Sequence, residues 1–156
     1  MRVLCCLDGT NVEQIHTIYA QIFRAQELTI GLIYVIDSGP HNEMQRQRER
    51  FLRVPHLAPP RQEQMHQAEQ STAQDILEEG LHFFPGAELL RREGHPEREI
   101  VGCASEWGAQ LIIICSRSPR GAGPALGPKS VGHVSRFVLD HAPCPVLLIR
   151  SDEQST

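Results

Sequence analysis

The sequence predicts an α/β domain built on a parallel sheet, and two observations carry that prediction. Three short runs, Val3–Leu7, Leu28–Ile36 and Leu111–Cys115, are apolar almost throughout. Strands with that composition are buried on both faces, and such strands are usually parallel and covered by helices. Between them lie segments whose apolar residues recur at helical spacing, so strands and helices alternate along the chain.

The elements follow in order. Val3–Leu7 is a strand ended by Asp8-Gly9, and Thr10 or Asn11 is positioned to cap the next helix. That helix carries Val12, Ile15, Ile18, Tyr19, Ile22 and Phe23 on one stripe. Leu28–Ile36 is the second strand, and the β-α-β unit calls for a right-handed crossover. Residues 37–60 contain four prolines and a Gln/Arg-rich run from Gln45 to Arg53, and read as a long solvated insertion. A polar helix is expected over 61–84, with its stripe through Ala68, Ile76, Leu77 and Leu81, followed by a more polar, edge-like strand over 87–92.

Gly94-His95-Pro96-Glu97 makes a turn and then a helix start, because proline at the first helical position needs no N–H and acidic residues there suit the helix dipole. This helix bears Ile100, Val101, Ala104 and Trp107. The most apolar strand, Leu111–Cys115, is expected at the centre of the sheet. A Gly/Pro-rich loop from Ser116 to Lys129 leads to a last helix over 131–141 and a final strand over 146–150. One domain over 1–150 with a polar tail, 151–156, accounts for the whole length of 156 residues.

Composition narrows the function. Fifteen Lys and Arg stand against 19 Asp and Glu, a net charge of -4, which offers no electrostatic footprint for a nucleic acid or an anionic membrane. No apolar run approaches the roughly 18 residues of a membrane helix. Asp8 interrupts the N-terminal apolar run before a signal-peptide core of ordinary length can form, which points to the cytosol. The five cysteines are odd in number, show no C-x-x-C spacing and fall mostly in strand-like runs. They read as reduced, small hydrophobes.

In open parallel sheets ligands sit beyond the carboxyl ends of the strands. Asp8, Asp37 and the loop after Cys115 all reach that edge. A carboxylate opposite a helix N-terminus with a glycine-bearing approach suits an adenosine nucleotide, the helix amides taking phosphate; the competing reading of Asp8-Gly9-Thr10 is a turn and helix cap. The stretch Gly123–Ser130 mimics a phosphate-binding P-loop, but Pro128 removes a backbone donor where glycine is needed. The eight histidines form no metal-ligand spacing. Cys115 sits at a strand end where a helix N-terminus would activate it as a nucleophile, yet no base stands at a fixed spacing, and a small structural residue is the simpler reading.

At these residues the chain resembles the universal stress proteins. The resemblance rests on Leu7-Asp8-Gly9-Thr10, Tyr34-Val35-Ile36-Asp37, Gly94-His95-Pro96 and Ile112–Ser118. It is densest in Gly132–Leu147, where His141-Ala142-Pro143-Cys144-Pro145-Val146-Leu147 matches the family's closing signature. It implies a Rossmann-like, three-layer α/β/α sandwich with a five-stranded parallel sheet of order 3-2-1-4-5, and a homodimer through the last strand, Val146, Leu147, Leu148 and Ile149. One branch of the family binds ATP, with Mg²⁺, and another does not. In the binding branch the positions of Asp8 and Val35 hold adenine and ribose. The phosphates lie on a motif Gly-x-x-Gly-x9-Gly-Ser/Thr, which maps onto Cys115, Ser116, Arg117, Ser118, Gly132 and His133, with Val134 and Ser135 following.

The motif is eroded here. Cys115 and Ser118 replace the first two glycines, the stretch from Ser118 to Gly132 is four residues longer than the pattern, and His133 replaces the hydroxyl residue. Gly121, Gly123 and Gly127 can rebuild a cradle, and Arg117, Arg120 and Lys129 supply positive charge. Three readings therefore stand: an adenine-nucleotide-binding stress-response dimer, an interaction module of the same fold that holds no nucleotide, and a slow ATPase.

Overall fold

The computed structural model describes residues 1–24, 27–39, 59–116 and 131–150. Five strands lie within them: β1 (Arg2–Cys6), β2 (Thr29–Asp37), β3 (Glu88–Gly94), β4 (Leu111–Cys115) and β5 (Val146–Ile149). Four helices accompany these strands: α1 (Val12–Ile22), α2 (Pro59–Phe83), α3 (Pro96–Trp107) and α4 (His133–His141). All strand pairings are parallel and the sheet order is β3-β2-β1-β4-β5, as the resemblance implies. No helix among the described residues is long and apolar enough to cross a membrane. Most of the insertion over 37–60, the loop that carries Arg117, Ser118 and the P-loop-like stretch, and the tail over 151–156 lie outside the described residues.

Strand alternation divides one sheet into two half-cores. Val3, Cys5 and Leu7 face one side with Leu32, Ile113 and Ile149, under Val12 and Ile15 of α1 and Leu77 of α2. Leu4 and Cys6 face the other with Ile33, Ile112 and Ile114, under Ile100, Cys103 and Ala104 of α3 and Val138 of α4. Residues 3 to 6 of β1 are thus buried in unbroken succession, which is why the run carries no polar position. All five cysteines are free thiols, and Cys5, Cys6 and Cys103 are buried as small apolar residues.

Several expectations need correction. The middle strand is β1; β4 is interior but stands one place over, between β1 and β5. Apolarity reports burial on both faces, and every interior strand has that. Strand β3 lies at the edge as expected, but it runs on to Gly94, because pairing with the long β2 continues to Asp37. Ala68 is exposed; the inner stripe of α2 runs instead through Ala73 and Leu77, with Ile76 partly covered. The last helix begins at His133, two residues later than its periodicity suggests, since Gly132 has φ 93° and ends the helical conformation there.

Candidate functional site

The carboxyl ends of β1, β2 and β4 open into a cavity of about 440 Å³, walled on one side by the starts of α3 and α4. Asp8, Val35, Cys115, Gly132, His133, Val134 and Ser135 all line it. The fold therefore brings together seven of the ten residues picked from the sequence. Ser116, the residue after β4, is buried; its amide donates to the Ile149 carbonyl at 2.8 Å, and it does not line the cavity. Arg117 and Ser118 fall outside the described residues.

The Asp8 carboxylate is held by its own turn. Its Oδ1 accepts the Thr10 amide at 2.8 Å and the Thr10 hydroxyl at 2.9 Å. Between them Gly9 has φ 93°, a conformation that glycine adopts without strain. Asn11 supports the turn from beneath. It occupies the N-cap position of α1 but makes no side-chain cap bond, contrary to its expected role. Instead its Nδ2 donates to the Cys6 carbonyl at 3.1 Å and its Oδ1 accepts the Asp8 amide at 3.0 Å. Buried at the end of β1, Asn11 thus pins strand and turn together.

Across the cavity, Ser135 is buried in the first turn of α4, and its hydroxyl donates to the Cys115 carbonyl at 3.0 Å. That bond ties the helix start to the end of β4. The amides of His133, Val134 and Ser135 have no carbonyl partner within the helix, so its positive end faces the cavity region with donors available. Gly132, the N-cap of α4, also lines the cavity and has φ 93°, a conformation that glycine adopts without strain. His133 is exposed, and its Nε2 lies 3.5 Å from Oε1 of Glu97 in the first turn of α3.

Three titratable groups in the cavity wall, Cys6, Cys115 and Tyr34, have raised pKa values, and burial is the largest cause for each. Burial pushes the Cys115 thiol up to about 11, with a bond to Asn11 opposing and the Asp8 charge adding to the rise. The thiol is therefore protonated at neutral pH, the opposite of an activated nucleophile. Tyr34, beside Val35, has its phenol raised by burial first and then by the charges of Asp8 and Glu69, so it keeps its proton and can donate. Sequence reasoning quoted Tyr34 only as part of a motif, and offered Asn11 as one of two helix caps, a position that it holds without a side-chain cap bond. Pro96 and Ile100, which supply apolar wall from α3, were read only as helix start and core. Among the described residues no three His, Cys, Asp or Glu side chains gather as a metal site.

The model of the universal stress protein family matches residues 1–150. The chain belongs to that family. A curated relative, the universal stress protein Sll1388 of a Synechocystis strain, is 31% identical over 81 residues, covering 52% of this chain and 47% of the relative. The match thus spans about half the length of each protein. Among solved structures, the universal stress protein UspA from Lactobacillus plantarum superposes with a TM-score of 0.68 at 21% identity, covering 96% of this chain and 97% of the other. A universal stress protein family protein from Arabidopsis thaliana, solved with AMP bound, gives a TM-score of 0.61 at 16% identity over 98% and 93% of the two chains. At these identities the structures establish the fold and no more.

Proposed function

We propose that this family member binds an adenine nucleotide in the cavity at the carboxyl edge of the sheet, without rapid chemistry, as a cytosolic stress-response protein. One observation carries the reading: a turn-held carboxylate, Asp8, and the open N-terminus of α4 line the same cavity. Asp8 accepts hydrogen bonds from ribose hydroxyls or the adenine amine, while Val35 and Ile100 supply apolar wall for the base. The amides of His133, Val134 and Ser135, with the helix dipole behind them, take phosphate oxygens. A neighbour of the same fold holds AMP, which supports an adenine ligand.

The second reading, a nucleotide-free interaction module, is favoured by Cys115, whose side chain occupies cavity wall at a position where the nucleotide-binding branch has glycine. Titration calorimetry on the purified protein with AMP and with ATP and Mg²⁺ separates the two. Binding is expected, and Asp8→Ala is expected to weaken it about tenfold, roughly the worth of one hydrogen bond to a charged group. No heat at high micromolar nucleotide, and no adenine absorbance in an acid extract of the native protein, would leave the interaction module standing alone. ATP hydrolysis that persisted unchanged in Asp8→Ala would be a contaminant's.

A further inference from the structure

Helices α3 and α4 begin side by side at the cavity, and the first turn of each carries a group that meets the other. The Glu97 carboxylate, only 15% exposed, lies 3.5 Å from the His133 ring, which is 78% exposed. Glu97 therefore stands, largely withdrawn from water, beside the first residue of the helix end that would take phosphate. Its own position in the first turn of α3 stabilises its negative charge through that helix's dipole. Its partner across the 3.5 Å contact is an imidazole, not a guanidinium or an ammonium group.

We propose that Glu97 sets the ligand preference of this cavity towards adenine nucleotides of low charge, AMP or a nucleoside monophosphate ester, and against ATP. The inference rests on the nucleotide-binding reading above and narrows it. The α-phosphate of a bound nucleotide gains the amides of α4. Each further phosphate adds negative charge near a poorly hydrated carboxylate, where repulsion is stronger than in open water. Among the described residues no lysine or arginine lines the cavity to offset that repulsion.

The test is calorimetric titration of adenosine, AMP and ATP into the native protein and the isosteric variant Glu97→Gln, in magnesium-free buffer. Glu78→Gln, an exposed α2 position away from the cavity, serves as a charge-removal control. In the native protein AMP is expected to bind at least as tightly as ATP. In Glu97→Gln, ATP is expected to gain about tenfold, AMP about threefold and adenosine nothing. The control should change none of them. Native protein that prefers ATP over AMP tenfold, or a variant whose affinity rises equally for adenosine and ATP, overturns the role of Glu97 while leaving the site itself intact. If neither protein binds any of the three, the nucleotide site fails first and this inference falls with it.

Discussion

The side chain of Asn11 illustrates how much one buried amide can organise. It serves the last carbonyl of β1 and the first amide of the turn at once, from a position 6% exposed. Asn11→Ala leaves both backbone groups without that partner in a largely dry place, so stability is expected to fall by about 2 kcal/mol. Urea denaturation followed by circular dichroism checks it, and an unchanged midpoint would mean that water replaces the amide at no cost. Neither the role of Asn11 nor the Glu97–His133 contact was legible in the sequence. Asparagine before an apolar helical stripe has a simpler use as a cap, and a pair separated by 36 positions meets only because α3 and α4 pack together. Asp8 was legible, since a lone carboxylate directly after an apolar strand is out of place in a core and must lie at the sheet's edge.

Among the elements, the helices differ in how closely they approach the sheet, and two glycines expose the difference. A Cβ at Gly80 of α2 would stand 2.7 Å from Leu32 Cδ1 and 3.1 Å from Leu7 Cδ1. Leu32 is fully buried, so it has little room to yield. Gly102 of α3 has nothing within 4 Å of that point. Alanine is the better helix former at both, by about 1 kcal/mol. Gly102→Ala is therefore expected to gain roughly 0.5–1 kcal/mol, and Gly80→Ala to lose about 1–3 kcal/mol through overpacking. Thermal melts of the two variants should move in opposite directions; two rises would show that α2 can ride outward freely. The strands themselves were the most legible elements. β1, β2 and β4 are covered above and below, and their sequences are correspondingly apolar. Strand β3, with Arg91, Arg92 and Glu93 at the edge, kept the weaker signal, and its end was misjudged by two residues because pairing, not composition, extends it.

At the scale of the molecule, β5 leaves one edge of the sheet unpaired within the described chain, with Val146, Leu147 and Leu148 only partly covered. An apolar open edge invites association. We expect a homodimer through this strand. Sedimentation velocity at tens of micromolar should show it, and Leu147→Arg should shift the population to monomer; native protein sedimenting as a monomer throughout would contradict the interface. The order of the strands could be drawn from the resemblance, whereas the cavity could not be sized from any linear pattern. Its walls come from five separate elements and from the turn after β1.

The opposite end of the sheet is built for a different purpose. There the Arg2 guanidinium lies over the Trp107 ring at 4.4 Å, the indole N–H donates to Glu88 at 2.8 Å, and Gln110 and Arg2 exchange bonds through backbone and side chain. Gly31 is bare beneath them, because a Cβ would come within 3.0 Å of the indole. These cross-links join the starts of β1 and β3 and the approach to β4 to the end of α3, at the pole remote from the cavity. The proposed recognition site lies at the other pole, so a substitution at the cavity mouth is expected to leave these cross-links in place.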